Sequence, residues 1–343
     1  MRSLLTPGKL VLRLAAGLAV LAAVCAACAM VGSEHVCLSE ALKGPGQAGG
    51  VNPDYEILVH IRLPRVALAA VVGAALACSG VVFQALLRNP LADPYILGIS
   101  SGAGLGAMLA VIAGFNWTFL GRSPVGGFAF AGAMGTVWLV WWLGRLAGRG
   151  QMTGLLLAGV VVNAFLSAII LFLTSVARSE IVYSTIFWLM GNMTEGDFRV
   201  IWVAAGFVLA GIGVLYLLAG GLNALSFGED DARSVGIEPA RTRLVAFMAA
   251  SAVTAVAVSL SGLIGFVGLV VPHSVRLVLG SDHRQLLPLS AVVGAAFLVG
   301  ADTIARVVVA PAQLPVGVIT AIVGGPLFLV LLVRSCRGAG GLR

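Results

Sequence analysis

Side chains at spacings that catalysis requires are scarce in this sequence. The two lysines, Lys9 and Lys43, are followed by Leu and Gly, so the G-x-x-x-x-G-K-[ST] phosphate loop of many ATPases is absent. The four histidines show no metal-ligand spacing, and no H-E-x-x-H motif occurs. ATP hydrolysis through a phosphate loop is therefore excluded for this chain, and a zinc hydrolase is disfavoured.

Two short motifs match catalytic patterns in their letters alone. Residues 98–102 read G-x-S-x-G, but a nucleophile elbow needs a strand-to-helix turn with His and acidic partners. Here the motif opens an apolar run, so we interpret it as small residues at the start of a membrane helix. Cys25 and Cys28 have redox spacing, yet they lie inside an apolar run and are interpreted as packing residues. The chain is not expected to be an enzyme.

Asp302 is the main ionisable candidate inside an apolar run, where such residues by default mark an ion path. It precedes Arg306 by four residues, the spacing at which opposite charges pair on a helix. Both lie toward the end of their run, which favours a neutralised pair near the membrane interface over a proton relay. An ion-coupled secondary transporter is therefore the second hypothesis rather than the first.

The composition places these residues in membrane-spanning helices. The 343 residues are 59% hydrophobic and 10% charged, with a mean hydropathy of +1.05, which excludes an ordinary soluble globule. A spanning helix needs about 20 apolar residues, and the 45 glycines suit close helix packing. We predict an all-α, polytopic membrane protein with a single transmembrane domain over 1–343. Its roughly ten spans are expected at 10–31, 66–87, 97–115, 126–146, 154–175, 200–219, 244–260, 262–279, 287–308 and 316–333.

The basic residues predict how the spans are oriented. With the N-terminus inside, 14 of the 21 lysines and arginines fall on the cytoplasmic side, and both termini are cytoplasmic. The run at 10–31 also has features of a signal peptide, but its apolar stretch is longer than a signal requires, so a retained helix is favoured. The orientation bias explains the net charge of +7, and no basic run interleaved with aromatic residues indicates nucleic-acid binding.

Residues 223–238 are polar enough to leave the membrane and are patterned as one short helix. Ser226 and Glu229 have capping-box spacing: the hydroxyl would accept from the Glu229 N–H, and the carboxylate would reach back to Ser226. Gly236 and Pro239 predict where the helix ends. The sequence therefore predicts a deliberately terminated cytoplasmic helix, which is either a linker or a surface for a partner.

Nine motifs occur in an order that resembles a known family. They are RLPR at 62–65, LRNPLADP at 87–94, GISSG at 98–102, LSFGE at 225–229, GFVGLVVPH at 265–273, DHR at 282–284, AD at 301–302, LPVG at 314–317 and GGP at 324–326. Over about 57–333 the chain resembles the FecCD-type permease subunits of bacterial ATP-binding-cassette (ABC) importers for iron–siderophores, haem and cobalamin. The motifs are specific for the family and do not distinguish its cargoes.

The resemblance implies a type II ABC importer permease with several partners. It implies a homodimer, or a pair of similar permeases, in the bacterial inner membrane, with the transport path along the interface. Two separate ATPase subunits would bind ATP and Mg²⁺ on the cytoplasmic side, so this chain is expected to hold no cofactor or metal of its own. A periplasmic substrate-binding protein would deliver an iron chelate, haem or cobalamin. The helix around 160–171 would line the path.

The resemblance also assigns roles to three groups of residues. The coupling residues, which would contact the ATPase, are Ser226, Gly228, Glu229, Asp230, Arg233 and Gly236. Arg62, Arg65 and Arg306 correspond to outward-facing arginines that would pair with carboxylates of the binding protein, with lipid-headgroup anchoring as the alternative. Gln151, Met152 and Thr153 match a loop that narrows the cytoplasmic end of the path, although Met152 stands where a small polar residue occurs in other members.

Overall fold

The computed structural model describes residues 6–46, 51–114, 124–146, 152–193 and 197–340, which form helices and no β-strand. A π-helical segment, Glu56–Arg62, joins α3 to α4, and Pro94–Leu97 forms a 3₁₀ turn. In chain order the helices are α1 (Pro7–Met30), α2 (Leu38–Ala41), α3 (Pro53–Tyr55), α4 (Leu63–Leu86), α5 (Ile99–Ile112), α6 (Val125–Leu146), α7 (Met152–Val176), α8 (Ser179–Leu189), α9 (Phe198–Leu217), α10 (Ala219–Phe227), α11 (Glu229–Ser234), α12 (Pro239–Ser261), α13 (Val267–Leu279), α14 (His283–Val307) and α15 (Val316–Gly340).

Seven helices in the described ranges are long and apolar enough to cross a membrane. They are α1, the continuous helix Pro53–Leu86, α6, α7, α9, α12 and α14. Three shorter apolar helices, α5, α13 and α15, coincide with the other predicted spans. The predicted all-α, multi-span membrane protein is therefore confirmed, while the count of ten spans stays a prediction.

Helix α4 forms the centre of the bundle. Its side chains Leu68, Val81 and Phe83 are fully buried. Glycines let neighbouring backbones approach it closely: a Cβ on Gly80 would overlap the carbonyl oxygen of Gly268 on α13. Such close contacts between small residues are the usual means by which helices pack inside a membrane.

The predicted span at 262–279 is wrong in its first five residues. Helix α12 ends at Ser261, Gly262 adopts φ +68°, and the chain is not helical again until Val267. The Tyr95 hydroxyl donates to the Ile264 carbonyl at 2.8 Å and accepts from the Ile264 N–H at 2.9 Å. Backbone inside a membrane bundle needs such partners when it leaves the helix. The run at 262–279 is apolar throughout, so the sequence predicted one helix. The non-helical start depends on hydrogen bonds with Tyr95, which no residue within the run indicates.

Cross-helix contacts fix the relative direction of three helices. Arg13 of α1 bonds Gln285 of α14 at 2.6 Å, and Arg306 of α14 donates to the Cys28 carbonyl near the end of α1 at 3.3 Å, so α1 and α14 are parallel. Helix α4 is antiparallel to α14, as its Arg65 lies against Asp302. These directions agree with the predicted span order. We call the Arg13 end the inner end and the Arg65 end the outer end, after the predicted orientation.

Candidate functional site

The polar segment at the inner end consists of two short helices, which corrects the single helix predicted for 223–238. Helix α10 ends at Phe227, and α11 begins at Glu229. Gly228 lies between them with φ 161°, in extended geometry, and caps the start of α11. The break occurs because the chain must change direction there before it returns to α12. We refer to α10 and α11 together as the α10–α11 element.

The predicted capping box is also wrong. The Ser226 hydroxyl donates to the Leu222 carbonyl one turn back at 2.9 Å, within α10. The Glu229 carboxylate instead pairs with Arg243 of α12 at 2.6 Å and with Arg233 at 3.4 Å. Hydrogen bonding from the Arg243 guanidinium lowers the pKa of Glu229, which keeps this carboxylate charged. Glu229 therefore ties α11 to α12 rather than reaching back to Ser226.

The predicted end of the segment at Gly236 is confirmed. Gly236 adopts φ +79°, and its N–H donates to the Arg233 carbonyl at 3.0 Å. The Ile237 N–H donates to the Ala232 carbonyl at 3.0 Å, which completes a Schellman motif. Pro239 then starts α12. The glycine is required because L side chains disfavour this left-handed conformation.

Contacts with three long helices or their ends hold the α10–α11 element in place. Arg88, just after α4, donates to the Leu225 carbonyl at 3.0 Å, and Arg243 of α12 holds Glu229. Asn223 of α10 accepts from the backbone N–H of His283, the first residue of α14, at 2.9 Å. The element is therefore fixed to α4, α12 and α14 at once. Sequence reasoning did not identify these roles of Arg88, Arg243 and Asn223. The Arg88 and Asn223 contacts join residues 137 and 60 positions apart, and the Arg243 contact joins two separate helices.

The α10–α11 element presents charged and apolar side chains on its open surface. Asp230 and Arg233 are exposed and pair with each other at 3.2 Å. Phe227 is 83% exposed and Val235 is 65% exposed. Sequence reasoning missed both apolar residues, although two large apolar side chains in a short polar segment indicate a contact surface for a partner. Single-chain exposure of this kind marks a surface that a partner can cover.

The outer end contains a cluster of three arginines and one aspartate. Arg65 Nε donates to the two carboxylate oxygens of Asp302 at 2.9 and 3.1 Å, and Arg65 Nη1 donates to Gln313 at 2.7 Å. Arg306 Nε lies 3.1 Å from Asp302 Oδ2, which confirms the predicted i,i+4 pair. Arg62 donates to the carbonyls of Ala29, Met30 and Glu34. We call Arg62, Arg65, Arg306 and Asp302 the outer cluster.

The arginines of the outer cluster do not project outward from this chain, contrary to the expectation. Arg62 is 3% exposed, Arg65 is 8% exposed and Arg306 is 6% exposed. Their guanidinium groups are held by acceptors within the chain, because buried charges need hydrogen-bonded partners. Three guanidinium groups and one carboxylate still leave a net charge of +2. Whether a binding protein docks on this charge stays a prediction.

Two of the three predicted gate residues, Met152 and Thr153, lie at the start of α7. Gln151 falls outside the described residues, Met152 is the first residue of α7, and Thr153 is exposed in its first turn. Farther along the same helix, Leu157, Val161 and Phe165 are exposed along one face. This face overlaps the stretch 160–171 that the resemblance assigns to the path. The gate and the path lining stay predictions.

The G-x-S-x-G motif at 98–102 opens a helix and does not form a nucleophile elbow. Gly98, in a left-handed conformation, caps α5, and the Ser101 hydroxyl donates to the Gly98 carbonyl at 3.1 Å. Ser101 is buried and therefore is not a presented nucleophile. In the parts of the chain that the structure describes, no three His, Cys, Asp or Glu side chains come together as a metal site requires. That the chain holds no cofactor stays a prediction.

Known proteins are similar in sequence to most of this chain. The cobalamin import system permease protein BtuC of Halobacterium salinarum is 44% identical over 295 residues, which cover 86% of this chain and 78% of the relative. The hemin transport system permease protein HmuU of Yersinia pestis is 40% identical over 290 residues, which cover 84% of this chain and 86% of the relative.

A solved structure shares the fold. It is described as an inward-facing conformation of a metal-chelate type ABC transporter, and it matches with a TM-score of 0.78 and 32% identity over 92% of this chain and 97% of that one. The FecCD transport family matches residues 19–334. The resemblance drawn from the nine motifs is thereby confirmed, and the chain belongs to the FecCD transport family.

Proposed function

We propose that this chain is the permease subunit of an ATP-driven importer that moves an iron chelate, haem or cobalamin inward across a bacterial inner membrane. The α10–α11 element carries the proposal. It is a charged structure with two exposed apolar side chains at the inner end of an otherwise apolar bundle. An ATP-driven transport chain without a phosphate loop needs a separate ATPase, and this element has the features of its docking site. Both termini would then lie in the cytosol.

The ATPase would contact the open surface of the α10–α11 element. Phe227 and Val235 would enter an apolar cleft, because buried aromatic and aliphatic anchors dominate most interfaces. Asp230 and Arg233 would form the polar rim. Gly228 and Gly236 set the shape of the element, and Glu229 holds it against α12. Coupling is thus assigned to a preformed surface rather than to one residue.

The binding protein would dock at the outer end. The outer cluster has a net charge of +2, which attracts carboxylates without requiring the arginines to leave their internal partners. Charge at the rim of an interface mainly raises the association rate. Arg62 is the arginine best placed to pair with a carboxylate of the binding protein. Its acceptors within the chain are main-chain carbonyls, so its charge is not already paired with a carboxylate.

A second permease would complete the transport path. The apolar face of α7 with Leu157, Val161 and Phe165 would line the path against the same or a similar chain. Such a surface binds a bulky chelate weakly, which favours release. Specificity would then reside in the binding protein, and ATP-driven closure of the ATPase subunits would shift the permease between its states.

Reconstitution in lipid vesicles tests this function. Vesicles that hold the permease, its ATPase and its binding protein should accumulate one of ferric siderophore, haem or cobalamin, and only with ATP and Mg²⁺. Omission of the ATPase should abolish uptake. Accumulation of any of these cargoes by the permease alone, driven by a proton or sodium gradient, would instead establish the ion-coupled alternative. Within the described spans that alternative has little to use, since buried Asp302 is paired with two arginines.

A further inference from the structure

The first turn of α14 is capped by a side chain from another helix. A helix begins with backbone N–H groups that have no partner inside the helix. Asp282 Oδ1 accepts the N–H of Arg284 at 3.0 Å, which is the usual cap by the preceding residue. The N–H of His283 is accepted by Asn223 Oδ1 of α10 at 2.9 Å. The start of α14 is therefore completed only when α10 is in place.

The Asn223 side chain uses its donor and its acceptor in this contact. Its Nδ2 donates to Asp282 Oδ1 at 2.8 Å. Its Oδ1 receives a second hydrogen bond from the His283 ring, whose Nδ1 lies 2.7 Å away and must carry the proton, because an amide oxygen only accepts. The amide, the carboxylate and the imidazole thus fix one orientation of α10 on α14. We call Asn223, Asp282 and His283 the inner joint.

Helix α14 connects the inner joint to the outer cluster. It runs without a break from His283 to Val307, a distance of about 37 Å at 1.5 Å per residue. Asp302 and Arg306 lie near its other end, where they contact Arg65 of α4. One continuous helix therefore contacts the element proposed to bind the ATPase and also forms part of the cluster proposed to bind the binding protein.

We propose that Asn223 is the positioning residue that transmits movement between the α10–α11 element and α14. This inference rests on the proposed function, since it assumes that the ATPase moves the α10–α11 element. A push on the element is passed to α14 only while the inner joint holds the two helices in one orientation. Two sites are coupled when both shift the equilibrium of one shared element. Helix α14 is that shared element, because it contacts α10 at one end and forms part of the outer cluster at the other. Asn223 touches neither ATP nor cargo in this scheme.

The Asn223→Ala substitution in the reconstituted importer gives the first measurement. The complex should still assemble and hydrolyse ATP, because the exposed surface of the α10–α11 element is unchanged. Uptake per ATP hydrolysed should fall about fivefold or more, the lower range of coupling between sites. Asn89→Ala is the matched control: its amide oxygen accepts from the Leu91 N–H in its own turn at 2.9 Å, so the ratio should stay at the wild-type value.

A swap of the two side chains separates transmission from a general loss of structure. Asn223→Asp alone places two carboxylates against each other and should uncouple transport. Combined with Asp282→Asn, it recreates the donor and acceptor pair in reverse, and the ratio should return toward the wild-type value. The inference is overturned if Asn223→Ala leaves the ratio unchanged, or if Asn223→Asp uncouples and the swap does not restore coupling. Failure of the wild-type complex to use ATP at all would reject the proposed function instead.

Discussion

Asp302 is a single buried carboxylate that pairs with arginines of two helices. It accepts from Arg65 and lies 3.1 Å from Arg306, so one carboxylate offsets two guanidinium groups in a region without bulk water. Its pairing with Arg306 could be predicted from the four-residue spacing. Its pairing with Arg65 could not, because 237 residues separate the two and nothing in the sequence specifies which helices pack together.

Asp302→Asn should destabilise the protein strongly. Removing the carboxylate charge leaves two buried arginines without compensation, which costs about 3–5 kcal/mol in comparable cases. Thermal unfolding in detergent, followed by intrinsic fluorescence, should show a clearly lower midpoint. Asp230→Asn is the control, since Asp230 is fully exposed and its midpoint should match the wild type. Equal midpoints for both variants would contradict the arrangement of the outer cluster.

Asp93 gives the stability of the protein a specific dependence on pH. Burial raises the pKa of its carboxyl from 3.8 to about 6, although it accepts from the Tyr95 N–H at 2.8 Å. A group whose pKa is higher in the folded state stabilises the fold below its unfolded pKa, and this contribution is lost as the pH rises through the folded value. The loss should therefore occur between about pH 4 and pH 6.

Asp93→Asn should remove this dependence, because the amide oxygen can still accept from Tyr95 while no charge develops. The difference in unfolding midpoint between variant and wild type should move in favour of the variant as the pH is raised from about 4 to about 6. Other carboxylates titrate equally in both proteins and cancel in the difference. Parallel curves across this window would show that the Asp93 carboxyl is not buried as described.

At the scale of helices, the sequence predicted where the chain lies in the membrane better than how the segments end. Apolar runs located every long helix, because lipid imposes a minimum length on any span. The α10–α11 element was predicted as polar, and its end at Gly236 was right because a left-handed glycine leaves a local signature. The capping box at Ser226 was wrong, since the same letters also allow the hydroxyl to bond within α10.

Phe227→Ala should weaken association with the ATPase about tenfold or more, as expected for an exposed aromatic anchor that becomes buried. Binding of the purified ATPase to the permease in nanodiscs, measured by surface plasmon resonance, provides the comparison. Phe207→Ala is the control, because Phe207 is also exposed but lies midway along α9, outside the α10–α11 element. If both substitutions leave the affinity unchanged, the ATPase does not use the open surface of the α10–α11 element.

At the scale of the whole molecule, the protein concentrates its polar interactions at two ends and leaves an apolar body between them. The bias of the basic residues predicts which of these ends faces the cytosol. The contacts within each end could not be predicted from the sequence, because Arg65 and Asn223 bond residues that are distant in the chain. Only packing brings these residues together.

Docking of the binding protein should depend on salt because of the net positive outer cluster. Arg62→Gln should lower the association rate several-fold at low ionic strength, and the two proteins should converge near 1 M salt, where the Debye length is about 3 Å. Stopped-flow fluorescence with the binding protein provides the rates. Arg62 is preferred over Arg65 and Arg306, whose removal would also disturb Asp302. Arg241→Gln, at the inner end, should have no effect. Identical rates for Arg62→Gln and the wild type would leave Arg62 only its hydrogen bonds to the Ala29, Met30 and Glu34 carbonyls.

The pairing of α1 with α14 imposes an order on biogenesis. Helix α1 leaves the ribosome before α14, yet its polar contacts with that helix are with residues 272 and 278 positions later. At about 5–20 residues per second, translation takes on the order of tens of seconds to produce them. Arg62 can donate to the Ala29 and Met30 carbonyls early in synthesis, but the contacts between α1 and α14 can form only after nearly all other helices have been made.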